Sequence, residues 1–162
     1  MIGKFIIGKS FAGCIGYCLS DKHNRKENHR VNLLKTNLCN GDKNELIKQF
    51  KEVSLLNAKQ RNPVLHITIS LAENERLKAF QLIEIAEDCA AEFGFENNQY
   101  VVVEHNDTSS HQHFHIVANR INFEGKTSVS CKRPSILVNS KLEYFCCYCN
   151  TGYPRPASLQ FD

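Results

Sequence analysis

The sequence predicts an α+β fold, an antiparallel β-sheet with helices packed mainly on one face. Three observations carry this expectation. Short segments rich in β-branched residues alternate with longer ones whose apolar residues recur every three or four positions. Two strand-like segments, 99–104 and 112–121, are joined by too few residues for a parallel crossover and so must pair as antiparallel neighbours. Finally, 162 residues suffice for one domain with a real core but not for two comfortable ones.

In chain order, KFIIG at 4–8 suits a short strand. SFAGCIGYCLSD then sets Phe11, Ile15, Cys18 and Leu19 at helical spacing, predicting a helix over about 12–20. Residues 21–41 read as an irregular basic connection. GDKNELIKQFKEVSLLNAK predicts a helix with Asp42 as its N-cap and Leu46, Ile47, Phe50, Val53 and Leu56 as its buried stripe. NPVLHITISLA is a strand that puts Leu65, Ile67, Ile69 and Leu71 on one face and His66, Thr68 and Ser70 on the other. ENERLKAFQLIEIAEDCAAEFGF is a helix, with Leu77, Phe80, Ile83, Ala86, Ala90 and Phe93 as its stripe and Gly94 ending it. NQYVVVE is a strand, 105–111 a loop and 112–121 a second strand. NFEGK makes a turn, TSVS a short strand, 134–148 a last helix, and 150–162 an irregular tail to a single domain spanning 1–162. Helices on one face would leave the other partly open, where polar strand residues can do chemistry.

Composition narrows the function classes. Hydrophobic content of 42% with 23% charged residues describes an ordinary globular protein without a membrane span. The opening MIGKFIIGKSFAG is broken by Lys4, Gly8 and Lys9, which suits a strand better than a secretory signal; a cytoplasmic location is expected. Eight cysteines include no pair of CxxC motifs, so reduced thiols used as small core residues are expected rather than a structural zinc site. Charge is uneven: residues 1–63 carry 12 Lys and Arg against 5 Asp and Glu. In DKHNRKENHRVNLLK, Lys22, Arg25, Lys26, Arg30 and Lys35 face only Asp21 and Glu27, which fits either a polyanion partner or a solvated basic loop.

VVVEHNDTSSHQHFHIVANRI, residues 101–121, holds four of the seven histidines. On a strand, His113 and His115 share a face while Phe114, Ile116 and Ala118 take the other. His105 ends the partner strand and can reach the same spot. Three neutral imidazoles make a metal site with open positions for substrate or water, which implies catalysis. Asp107 could orient a ligating imidazole, and His111 shares the parity but falls in the loop.

HNDTSSHQHFHIVANRI resembles the three-histidine motif of the relaxases, or mobilization nickases, of the HUH endonuclease superfamily. SFAGCIGYCLSDK is similar to that family's N-terminal motif, HITISL to its second-strand motif with His66 and Ser70 at the matching places, and FGFENNQYVVVEH to the segment leading into the histidines. Together these cover residues 1 to about 145. The resemblance implies Tyr17 as nucleophile and His105, His113 and His115 as metal ligands, with Asp107 or His111 as a base. His111, His66 and Asn119 are candidate further ligands or supports, and Arg120 joins the basic segment as a DNA contact. It also implies a divalent ion, Mg2+ or Mn2+ with Zn2+ as the alternative. The implied activity is nicking of single-stranded DNA at a transfer origin through a 5′-phosphotyrosine. An accessory mobilization protein and a secretion coupling protein are implied as partners in a bacterial cytoplasm. A tyrosine hydroxyl ordinarily titrates at about 10 and would need the metal or a base to lose its proton. The rivals are a rolling-circle replication initiator, which usually carries its tyrosine after the histidines, an inactive DNA-binding module, and a metal hydrolase of small molecules.

Overall fold

The computed structural model describes residues 2–20, 31–73, 75–105, 112–128, 137–139 and 142–149, the last two segments as backbone only. Lys22, Arg25, Lys26, Arg30, Asp107, His111 and the tail 150–162 lie outside the described residues.

The elements follow as β1 (Ile2–Gly8), α1 (Phe11–Cys18), β2 (Val31–Asn37), α2 (Lys43–Ser54), β3 (Val64–Ser70), α3 (Ala79–Phe93), β4 (Tyr100–His105), β5 (His113–Asn119), β6 (Leu137–Asn139) and β7 (Leu142–Cys149). A single 3-10 turn, Leu55–Asn57, follows α2. The sheet order among described residues is β2-β4-β5-β3-β1-β7-β6. Its first five strands pair antiparallel throughout, β7 runs parallel to β1, and β6 pairs antiparallel with β7.

The helix boundaries have local causes. Ser10 caps α1 by accepting from the Gly13 N–H at 3.1 Å. Asp42 caps α2 and shares a reciprocal capping box with Glu45, satisfying N–H groups that the helix start cannot pair internally. Gly94, at φ 70°, closes α3 in the left-handed conformation that glycine adopts without a Cβ clash.

Two apolar clusters sandwich the sheet. On one side α3 packs Leu82, Ile85, Ala86, Cys89 and Ala90 onto Leu65, Ile67, Ile69, Val102, Phe114, Ile116 and Ala118. On the other, Phe11, Ile15 and Cys18 of α1 and Leu46 and Phe50 of α2 pack onto Val64, Val101, Val103 and Val117. The antiparallel α+β class is as expected, but the helices occupy both faces, two on one and one on the other. The YVVV and HIVA runs reflect this: strands covered on both sides become continuously apolar instead of alternating.

Four local expectations change. Residues 31–37 form an edge strand rather than a basic connection; a bulge between Leu33 and Lys35 shifts the side-chain phase and erases the alternation that would announce it. Residues 137–139 and 142–149 form paired antiparallel strands rather than a helix, and the second of them pairs with the edge of β1 that β3 leaves bare. The buried stripe of α3 is rotated from the expected one, leaving Phe80 exposed. Leu56 leaves the stripe of α2 because the chain tightens into the 3-10 turn before reaching it, and it too is exposed.

Candidate active site

Three adjacent strands, β4, β5 and β3, carry the polar cluster on the face that α1 and α2 half cover. Register aligns it in rows. His105 is paired with His113, and His115 lies between Val103 and Thr68. Val117 lies between Val101 and His66 in the next row. Helices α1 and α2 seat on the valine end of this face, so the histidine end is the part that remains for chemistry.

His105, His113 and His115 each offer a ring nitrogen within 4.8 Å of the others. The His105 and His115 ring centroids are 4.5 Å apart, and His113 stands 5.3 and 5.4 Å from them. Hydrogen bonds select which nitrogens can ligate. His105 Nε2 lies 2.7 Å from the carbonyl of Cys18, which only accepts, so this nitrogen carries the proton and Nδ1 keeps its lone pair. His115 Nδ1 lies 3.0 Å from His66 Nε2 and 3.1 Å from Thr68 Oγ1. When Nδ1 carries the proton and donates it to either of these acceptors, His115 Nε2 presents its lone pair. That atom is buried and meets no hydrogen-bond partner among the described residues, which is costly unless something else satisfies it. An orphaned lone pair, a neighbour oriented by the Cys18 carbonyl and an all-imidazole donor set fit a divalent cation.

Burial makes His115 hard to protonate. Its pKa falls from the ordinary 6.5 to about 2, first through desolvation and then through the positive charge that His105, His66 and His113 would carry. An unfolded chain would therefore take up a proton at this residue below about pH 6.5 that the folded chain refuses until about 2. Stability is lost as pH falls through that window. For the metal-free chain this single group is expected to cost about 2 kcal/mol between pH 7 and 5. Urea unfolding in chelator at the two pH values checks it, and a His115→Gln variant should show a smaller drop; an equal drop in both would contradict the assignment.

Helix α1 brings a tyrosine to this cluster. Phe11, Ile15 and Cys18 fix its inner side, and the Cys18 carbonyl anchors its last turn to His105. Tyr17 is thereby held beside the histidines with its ring centroid 6.4 Å from that of His105 and 6.1 Å from that of His115, yet it is 56% exposed. Tyr100, by contrast, is buried against Phe95 and shut off from any substrate.

Other sequence candidates fall elsewhere. Asn119 is fully buried four residues along β5 from His115, donating to the Phe50 carbonyl and Gln99 Oε1 and accepting from the Ile121 N–H. It is a structural brace, not a ligand. Arg120 is nearly buried and donates to the Asn62 carbonyl at 2.8 Å, so it ties strand ends together. Lys35 pairs with Glu87 of α3, on the face opposite the histidines. His66 stands behind His115 rather than beside the triad's open side. Two supports had no signature in the sequence. One is the Cys18 carbonyl, a backbone atom. The other is Gln112, whose amide bonds the Leu77 backbone and Glu104 Oε1 and so fixes the start of β5.

A family model described as relaxase, MobA/VirD2-like, nuclease domain, matches residues 17–139. The chain belongs to this relaxase family. The matched segment opens at Tyr17 and runs through all three histidines of the cluster. No curated protein and no solved structure matches the chain. Membership makes it a nuclease domain of the kind that nicks DNA in mobilization and implies single-stranded DNA as its partner. The five antiparallel strands and three helices of this relaxase agree with that family's α+β fold. No helix among its described residues is long and apolar enough to cross a membrane.

Proposed function

We propose that this relaxase nicks and rejoins one DNA strand at a transfer origin through a 5′-phosphotyrosine on Tyr17, initiating mobilization of a plasmid or mobile element. The observation that carries this reading is the exposed Tyr17 ring held about 6 Å from both His105 and His115. The Tyr17 hydroxyl attacks the scissile phosphorus, the new bond joins its oxygen to phosphorus, and the bond to the 3′ oxygen breaks. The departing 3′ oxygen takes up a proton and leaves as a hydroxyl. The phosphodiester linkage is conserved in the adduct, so the released 3′-hydroxyl can reverse the reaction, as strand rejoining requires.

His105, His113 and His115 would hold Mg2+ or Mn2+, with Zn2+ the alternative, and the ion would supply Lewis-acid polarisation of the phosphate. His66 and Thr68 orient His115 through its Nδ1, and the Cys18 carbonyl does the same for His105. Asp107 or His111, in the connection between β4 and β5, takes the proton of Tyr17. Lys22, Arg25, Lys26 and Arg30 leave the Tyr17 end of α1 and fit a track for the DNA backbone. The nicking function occupies residues 1–162 as one domain, working in a bacterial cytoplasm with an accessory mobilization protein and a secretion coupling protein. A rolling-circle initiator is the weaker reading, because Tyr17 precedes the histidines.

Labelled single-stranded DNA carrying the origin tests the proposal. Cleavage is expected to vanish in EDTA, to return with Mg2+ or Mn2+, and to fall by at least about 10²-fold in His115→Ala. Cleavage that persists at full rate in chelator would overturn the metal-dependent reading.

A further inference from the structure

A second group of metal-ligating atoms lies outside the histidine triad. Cys14 and Cys18 are four residues apart on α1, which places both thiols on one side of the helix. That side meets His66 of β3. One ligating atom from each of Cys14, Cys18 and His66 lies within 4.8 Å of the others, and Cys18 Sγ is 3.7 Å from His66 Nε2. Sulfur and nitrogen ligands of a tetrahedral zinc ion stand about 3.5 Å apart, so small side-chain rotations would close this set around an ion. We propose that Cys14, Cys18 and His66 form a second metal site, selective for a thiophilic ion of the Zn2+ class and separate from the triad.

The chemistry of the donors agrees. The Cys14 thiol is held below its ordinary range, chiefly by the hydrogen bond with Cys18 and then by His66, while burial opposes the shift. The same bond, with burial, pushes the Cys18 thiol up. A bound ion would take both sulfurs as thiolates and release their protons. Two thiolates neutralise a dication, which lets a second dication sit in the triad nearby at lower electrostatic cost. Thiolates also prefer zinc over magnesium or manganese, whereas the triad offers imidazole alone. Sequence spacing hides this site, because its third ligand arrives from 48 residues away through the sheet.

Filling the site has one consequence for the triad. His66 Nε2 also bonds His115 Nδ1, so an ion on it would leave Thr68 Oγ1 as the remaining support of His115.

Co2+ titrated into the full chain under a phosphine reductant tests the proposal. A thiolate-to-cobalt charge-transfer band in the near ultraviolet is expected, and Zn2+ should displace it. The band should be lost in Cys14→Ser, which alters a half-exposed residue, and should persist in His113→Ala. In His66→Gln, which keeps both thiols, Zn2+ stoichiometry measured against a chromophoric chelator should fall by at least one equivalent while the far-ultraviolet circular dichroism of the parent chain is retained and reports a folded chain. Absence of the band in the parent chain, its persistence in Cys14→Ser, or an unchanged stoichiometry in His66→Gln would each overturn the proposal.

Discussion

Tyr17→Phe is expected to lower nicking by at least about 10³-fold, because it removes the one atom that forms the bond to phosphorus. The same change should leave stability within about 0.5 kcal/mol, since the side chain is largely exposed. The separation of the two effects is the informative part. Metal binding at the triad should also survive, because His105 is oriented by a backbone carbonyl that the substitution does not touch. Comparing initial rates on labelled single-stranded DNA with a denaturation curve of the same preparation checks both halves. Substantial residual nicking would transfer the nucleophile's role to another group.

The largest stability effect is expected at Phe50→Ala. Phe50 is fully buried on α2, packs edge-on against Phe11 of α1 at 5.2 Å, and lends its carbonyl to Asn119. Truncation leaves a cavity between helix and sheet at a site held by rigid strands, for which about 3–5 kcal/mol is the usual cost. That is a large share of a domain's typical stability of about 5–15 kcal/mol. Because Phe11 begins the helix that presents Tyr17, nicking should fall further than the folded fraction alone would explain. Urea unfolding measures the first effect, and rates normalised to folded protein measure the second. A loss under about 1 kcal/mol would show that α1 and α2 are not seated on this ring.

How much of this was legible in the sequence depended on whether local pattern and tertiary context agreed. Where periodicity was strong, they did: the apolar spacing of Phe11, Ile15 and Cys18 forecast α1, Asp42 forecast a cap, and strand parity put His113 and His115 on one face. The hairpin of β4 and β5 followed from a loop too short for anything else, and it carries His105 to its place opposite His113. The misreadings share a cause. Edge strand β2 has a bulge that breaks the phase, and β7 answers a partner at the opposite end of the chain, so neither carries its reason locally. Asn119 ends the strand that carries His113 and His115, and Arg120 follows it, yet β5 runs away from the cluster and delivers them to its far end. His66 was visible as a polar strand residue, but its contacts with His115 and Cys18 need the register of two strands and the seat of a helix together.

The central claim is that Tyr17 and the histidine triad form one site. Mapping the covalent DNA–protein adduct by protease digestion and mass spectrometry tests it most directly. A reaction with origin DNA and Mn2+ is predicted to leave a nucleotide attached through its 5′ phosphate to the peptide containing Tyr17. An adduct on any other tyrosine, or nicking with no adduct at all, would contradict the account.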